Sequence, residues 1–326
     1  MAGINTRLLI LSDTHADDGQ LRLSADVAIH CGDLTEESKL CEFVASIRLL
    51  KGIRAPLKLA IAGNHDFTLD TPLFRRKIAE AVPALDPDLV KKEFGEYGEA
   101  RQLLAAAGIV LLGEGRHQFT LDNGALLTVY ASPYTPSPHA EMGFQFKPKD
   151  GHNFEIGPGV DVAITHGPPR GVLDMTDSKE RGGCEELFAE VARARPRLHC
   201  FGHIHEGWGA KSVAWRGREA TASPSHFTDI DNGRSATLDT LASFKPGKWD
   251  TPELATEKKA RLERYTAQGY CSARSGPLHP KEDAAAQTLF VNAAIQSLEE
   301  EGPSQLPWLV EMELPQRPAK RRRQSA

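Results

Sequence analysis

The sequence has little of what would build a disulfide scaffold, a membrane span or a nucleic-acid surface. Its five cysteines, Cys31, Cys41, Cys184, Cys200 and Cys271, are odd in number and form no C-x-x-C pair. That argues against a disulfide framework and fits a reducing compartment. No apolar run approaches the ~20 residues a membrane helix needs. The short apolar run near the N-terminus leads straight into Asp13, which argues against a cleaved signal peptide. A formal charge of −5 leaves no overall basic signature for nucleic acid, so an anionic substrate would need local positive charge, from side chains or from metal. With 40% hydrophobic and 25% charged residues over 326 positions, the chain has the composition of a soluble globular protein of one large domain or two small ones. The expectation is an intracellular, cytoplasmic protein with no membrane partner.

Short apolar runs, by contrast, are plentiful. Residues 8–11, 27–29, 57–61, 110–112, 126–130, 160–165 and 198–201 are too short and too β-branched for helices, and read as buried strands. Helical patterns lie between them at 36–51, 72–81, 98–107 and 184–193. Buried strands alternating with helices predict an α/β fold whose helices cover sheet faces. From about Thr228 to Ala285 the apolar residues thin out and Gly, Pro and Ser rise, leaving one helical pattern, ATEKKARLERYT. The reading is a catalytic domain over 4–315, interrupted at about 229–285 by a mobile, dispensable insertion. The strand-like runs TLFVNAAI (288–295) and PWLVEMEL (307–314) then return to that domain. Residues 316–326 read as a disordered basic tail, whose run KRRR, from Lys320 to Arg323, would also suit a nuclear-import signal.

Five of the strands end alike. The first runs into Asp13, Thr14 and His15, the second into HCGDL with Asp33, and the third into AGNHDF with Asn64 and His65. Two later ones run into HGPPRG with His166 and GHIHEG with His203 and His205. In an open α/β sheet, ligands collect outside the carboxyl ends of strands. Asp oxygens and His nitrogens suit divalent transition metals, and no cysteine takes part, which excludes a soft cysteine-rich zinc knot. Two Asp, four His and one Asn supply seven donors, with His65 left over. Seven donors are too many for one tetrahedral ion. They suit two ions sharing a bridging carboxylate, and ions ~3.5–4 Å apart clamp the oxygens of an in-line phosphoryl displacement. Glycines in CGD, AGNHD and FGHIH let the backbone turn sharply and approach the ions. The other histidines (His30, His117, His139, His152, His199, His226, His279) lack this context and read as structural or solvated.

The motifs D-x-H, GD, GNH-[DE], H-G and G-H-x-H, in this order, resemble the calcineurin-like metallophosphoesterase superfamily. HGPPRGVLD, GGCEEL, RPRLHCFGHIHEGWG and FVNAAI narrow the resemblance to its metallophosphoesterase-domain-containing branch, the brain-type phosphodiesterases and their fungal relatives. The resemblance implies a four-layer α/β/β/α sandwich with two mixed sheets. It implies two divalent ions (Mn, Fe, Zn or similar), one held by Asp13, His15, Asp33 and His205, the other by Asp33, Asn64, His166 and His203. His65 would then face the scissile phosphate and protonate the leaving oxygen, with Asp66 orienting it. Tyr134, in YASPYTP, would line the substrate pocket, and Gly182 and Gly183, before a helix, would offer N–H groups to phosphate. The implied reaction is attack of metal-activated hydroxide on a small phosphodiester such as a cyclic nucleotide. Two alternatives stand beside it, a phosphomonoesterase or protein phosphatase, and a non-catalytic metal-stabilised binding protein. GDLTEES departs from the protein-phosphatase signature G-D-x-V-D-R-G.

Overall fold

The structure is a computed structural model and describes residues 3–17, 19, 21–245, 247–278, 286–296 and 305–317. In chain order its strands begin β1 (Gly3–Leu11), β2 (Val27–His30), β3 (Leu57–Ala60), β4 (Val110–Leu111) and β5 (Gly115–Thr120). There follow β6 (Leu126–Ser132), β7 (Thr135–Pro136), β8 (Gln145–Phe146), β9 (Val162–Thr165) and β10 (Leu198–Phe201). The last are β11 (Gly209–Trp215), β12 (Ile230–Thr240), β13 (Cys271–Arg274), β14 (Gln287–Asn292) and β15 (Trp308–Pro315). The helices are α1 (Leu40–Gly52), α2 (Thr71–Ala79), α3 (Pro87–Phe94), α4 (Glu99–Ala106), α5 (Glu185–Ala194) and α6 (Pro252–Gln268).

Two large mixed sheets face each other. The first has the order β13-β15-β1-β2-β3-β4 and the second β12-β11-β14-β10-β9-β6-β5, while β7 and β8 form a small pair apart. Alternation along the strands sends one set of side chains between the sheets and the other outward. Leu8, Ile10, Val27 and Ile29 of the first sheet meet Val129, Ile164, Leu198 and Val291 of the second in one buried core. Leu9, Leu11 and Ala28 point the other way and are covered by Phe43, Leu49 and Leu50 of α1 and Leu104 of α4. On the far side Tyr130, Phe201, Phe290 and Trp215 pack on Leu187, Phe188 and Val191 of α5. The layers are therefore α/β/β/α, as the resemblance implied. Among the described residues no helix is long and apolar enough to cross a membrane.

The segment expected to be a mobile insertion is built into both sheets. β12 pairs antiparallel with β11, and β13 pairs parallel with β15. Phe244, Tyr265 and Cys271 are buried in the core between the sheets. Arg261 Nη1 and the Tyr265 hydroxyl donate to the Asp239 carboxylate at 2.7 and 3.1 Å, tying α6 to β12. The composition misled because both strands are sheet edges and α6 buries one side chain, Tyr265, so solvent-facing residues dominate the stretch. The expected tail is also engaged at its start, since Arg317 N–H donates to Gly124 O at 3.1 Å. Lys320 to Arg323 lie outside the described residues.

Candidate metal centre

The ends of β1, β2 and β3 in the first sheet and of β9 and β10 in the second converge on one place. Four of the residues there, Asp13, His15, Asp33 and His203, have φ between +44° and +68°, a left-handed conformation that costs a non-glycine residue ~1–3 kcal/mol and recurs at functional sites. The glycines explain how the chain tolerates the crowding. A Cβ on Gly63 would collide with the Asp33 carboxylate, and one on Gly202 with the Asp13 carboxylate and Ser12.

Asp13 and Asp33 are buried. The Asp13 carboxylate accepts the His203 N–H at 3.0 Å and lies 3.3 Å from His205 Nε2. Asp33 Oδ1 accepts the His65 N–H at 2.8 Å, while Oδ2 lies 3.2 Å from His166 Nε2 and 4.0 Å from His15 Nε2. His166 Nδ1 donates to Cys31 O at 3.0 Å, which leaves Nε2 facing Asp33 and Asn64 Oδ1, the latter at 3.0 Å. Among the described residues the donor atoms fall into clusters: Asp13, His15 and His205; Asp33, His166 and His203; and His15, Glu36 and His65. The first two each bring together three of the four residues expected at one ion, the fourth being Asp33 and Asn64 respectively.

Electrostatics follow from this packing. Burial pushes the Asp13 carboxyl up, but its hydrogen bond to His205 and the charges of His166 and His205 hold it below the usual carboxylate range. Burial pulls His166 down, yet the charge and hydrogen bond of Asp33, with Asp13 behind it, carry it up to about 9. His203 has no such partner, and burial with the His166 charge holds it at about 4. The donor set fits divalent ions. Its oxygens and nitrogens are of the right type, and the buried His15 Nε2 and His205 Nδ1 have no hydrogen-bond partner among the described residues.

The structure corrects two expected roles and adds one residue. Asp66 does not orient His65. It is buried, and its carboxylate accepts from the N–H groups of Gly63, Leu34 and Thr35 and from the Thr35 hydroxyl, at 2.7–3.1 Å. It ties the β2 loop to the β3 loop instead, with its carboxyl raised to about 6 by burial and by Asp33. Gly182 and Gly183 donate their N–H groups to Asp174, at 2.8 and 3.3 Å, and so offer none to phosphate. The helix they precede is capped by Cys184. Glu36 is the residue the sequence reading missed. Its carbonyl accepts His65 Nδ1–H at 2.7 Å, its Oε2 lies 2.7 Å from His15 Nδ1, and its Oε1 lies 3.8 Å from His65 Nδ1. The available signal was its place three residues after Asp33 on the same loop.

Tyr134 stacks on His152 with centroids 4.4 Å apart and meets Phe144 edge-on. Phe144 N–H donates to Asp70 at 3.0 Å, and the neighbouring Met142 accepts Asn64 Nδ2–H at 3.4 Å. From behind, Asn292 Nδ2 donates to Leu173 O and Ile204 O at 3.2 and 2.8 Å, and Gln305 Nε2 donates to His205 O at 2.7 Å. These two amides hold the loop that presents His203 and His205.

Residues 6–207 match the family described as calcineurin-like phosphoesterase. The chain is 35% identical over 211 residues to metallophosphoesterase domain-containing protein 1 of Homo sapiens, covering 63% of this chain and 62% of that one. The chain thus spans about three-fifths of that relative's length. It is 32% identical over 212 residues to probable rhamnogalacturonate lyase C of Emericella nidulans, covering 64% of this chain and 18% of that protein. Among solved structures it is similar to purple acid phosphatase PPD1 from yellow lupin seeds, with a TM-score of 0.35 and 9% identity over 95% of this chain and 54% of that one.

Proposed function

This chain belongs to the calcineurin-like phosphoesterase family, and we propose that it is a metal-dependent phosphoester hydrolase that cleaves phosphodiesters with two divalent ions. The observation that carries the two-ion reading is the position of Asp33 Oδ2, which faces His166 of one cluster and His15 of the other. In this reading Asp13, His15, Asp33 and His205 hold one ion, and Asp33, Asn64, His166 and His203 hold the second. When bound, such ions bring a water toward ionisation near neutral pH and neutralise charge on the phosphoryl oxygens. The working unit spans 4–315, with 229–285 as part of its fold.

The protein's own groups do the rest. His65 Nδ1 must carry a proton to donate to the Glu36 carbonyl, so the proton given to a leaving oxygen comes from Nε2 of the doubly protonated ring. The Glu36 carboxylate supplies the counter-charge for that form. Glu36, rather than Asp66, is thus the orienter of His65. The diester preference rests on charge. No Lys or Arg joins the described hydrogen bonds or ion pairs of the ligand residues or His65, and Glu36 stands at the half-exposed rim. A monoanionic diester suits such a rim better than a dianionic monoester, whose second charge the ions alone would have to offset.

The test is turnover of an aryl phosphodiester and an aryl phosphomonoester by the manganese-reconstituted protein. Diester hydrolysis should exceed monoester hydrolysis at least tenfold in kcat/KM. A monoester preference would overturn the diester reading, and failure on both with metal bound would favour a metal-stabilised binding protein.

A further inference from the structure

Behind the candidate ligands, each sheet buries a histidine that neither the ligand set nor the leaving-group role uses. His30 ends β2 and His199 stands in β10, strands buried along their whole length. Ile29 and Leu198, their neighbours in the chain, face the core between the sheets, so alternation turns both imidazoles outward, to the helix-covered faces. His199 there meets the rings of Phe201 and Phe290, with centroids 5.1 and 5.5 Å apart. Burial holds His30 at about 4 and His199 at about 3, so both rings are neutral. A buried polar ring costs stability unless its hydrogen bonds are made. Both rings direct theirs to a threonine beside a candidate ligand.

The donor roles follow from the partners. The Gly32 N–H donates to His30 Nδ1 at 3.3 Å, so the proton of the neutral ring is on Nε2, which donates to the Thr14 hydroxyl oxygen at 3.0 Å. Thr14 is buried between Asp13 and His15, whose φ values are +53° and +44°. Such backbone persists only where surrounding contacts over-determine it. Thr14 is held twice, at its hydroxyl by His30 and at its N–H, which donates to Asp33 O at 3.0 Å. In the second sheet the Thr165 hydroxyl donates to Gly167 O at 2.7 Å, closing a turn around His166. Its oxygen is left to accept, and His199 Nε2 lies 2.9 Å away, so the ring donates there. His199 Nδ1, without a proton, has no partner among the described residues. Two separate strands thus repeat one device: a neutral imidazole, a threonine hydroxyl and a ligand loop.

We propose that His30 and His199 are positioning residues of the metal centre, His30 acting through Thr14 on Asp13 and His15, and His199 through Thr165 on His166. The proposal rests on the two-ion reading, in which neither ring is itself a ligand. The direction of each hydrogen bond matters to the role. With His199 Nε2–H donating, the Thr165 hydroxyl proton is committed to Gly167 O. An acceptor in the place of His199 would draw that proton away and open the turn around His166. The same device on β2 steadies the strained pair Asp13 and His15, whose backbone would otherwise relax away from the centre.

Calorimetric titration of Co²⁺ into the full-length, metal-stripped protein tests this. Thr14→Val and Thr165→Val remove the hydroxyl and should each weaken cobalt binding by roughly tenfold or more, the loss typical of a group that orients a ligand. Thr14→Ser and Thr165→Ser keep the hydroxyl and should bind as wild type does. His30→Met and His199→Met should repeat the valine loss, whereas His199→Gln, whose amide replaces Nε2–H, should not. A double-mutant cycle reads the route through threonine: His30→Met combined with Thr14→Val should bind cobalt no more weakly than the weaker single variant. The absorption bands of bound Co²⁺ report ligand geometry, and should shift in the valine variants and not in the serine ones. Wild-type affinity in the valine variants, or additive losses in the cycle, would overturn the positioning role. So would a lowered Tm with unchanged cobalt affinity, the pattern of residues that only support the fold. Should a methionine variant fail to fold, the contrast between valine and serine decides by itself. If wild type takes up no cobalt, the two-ion reading fails and the positioning role with it. If wild type loads and every variant loads equally, the positioning role alone fails.

Discussion

The two sheets contribute unequally to one centre. The first brings Asp13, His15, Asp33 and Asn64, and with them every candidate oxygen donor. The second brings only imidazoles, those of His166, His203 and His205. The first-sheet loops hold one another directly, since the N–H groups of Thr14 and His15 both donate to Asp33 O, at 3.0 and 3.2 Å. The loop of His203 and His205 is instead held by Asn292 and Gln305, which lie some 90 to 100 positions downstream. Damage to the first sheet's share therefore removes charge from the centre. Damage to the second sheet's share misplaces imidazole donors and leaves the carboxylates in place.

The largest effect should come from the downstream chain. Replacing 232–284 by a short Gly/Ser linker would take Phe244, Tyr265 and Cys271 out of the inter-sheet core. Large buried side chains are worth ~3–5 kcal/mol each, against a total stability of ~5–15 kcal/mol. The protein should be insoluble or lose its cooperative melting transition, and a soluble, active deletion would show that the edges are dispensable after all.

Next comes Asp33→Asn, which takes charge from both clusters. Elemental analysis should find both ions depleted, by more than the ~10–100-fold in affinity that loss of a supporting group costs, whereas Asn64→Ala should deplete one. Equal metal content in Asp33→Asn and wild type would remove Asp33 from the bridge. His65→Asn should keep its metal and lose ~10²–10⁴-fold in kcat, most for esters with poor leaving groups. A metal-free His65→Asn protein would instead make His65 a ligand.

A smaller effect tests the second sheet alone. Asn292→Ala leaves Leu173 O and Ile204 O without their donor, which should cost ~1–3 kcal/mol and weaken metal binding ~10-fold at the sites that use His203 and His205. Unchanged metal affinity would separate the amide from the centre. The effect narrowest in its conditions, confined to acid pH, belongs to a buried histidine with no expected ligand role. Burial holds His199 at about 3, and its ring nitrogen pairs with the Thr165 hydroxyl at 2.9 Å. The unfolded chain takes up this proton below about pH 6.5 while the folded chain stays neutral, so stability falls as pH drops from 6.5 toward 3, by up to ~1.4 kcal/mol per unit. His199→Gln should flatten urea-derived stability over that window and leave metal content untouched.

The place where the candidate ligands gather was legible because a strand buried on both faces must be apolar throughout, so a sudden Asp or His marks its end. Glu36 was not legible. The pattern placed it in the first turn of a helix, but Ser38 adopts φ +61° and α1 begins at Leu40, leaving Glu36 on the loop beside His15. Asp66 was misjudged because sequence adjacency to His65 says nothing of side-chain direction. Its neighbours in space are the loop N–H groups of Gly63, Leu34 and Thr35. The edge strands β5 and β12 alternate or largely expose their side chains, so their polar composition imitates loop. α3 buries none of its residues and gave no apolar stripe to detect.

The place of β14 within the second sheet bears on how the protein is made. It lies between β11 and β10, with most of the chain already translated before it emerges. Until residues 287–292 leave the ribosome, the second sheet exists as two separate pieces, β12-β11 and β10-β9-β6-β5, with unpaired edges toward each other. All seven candidate ligands have by then been synthesised, while the amides that align His203 and His205 have not. The nascent chain thus carries exposed strand edges and loosely held donors late into translation, a state prone to aggregation. Metal supply and chaperone protection should therefore matter most in the final stretch of synthesis.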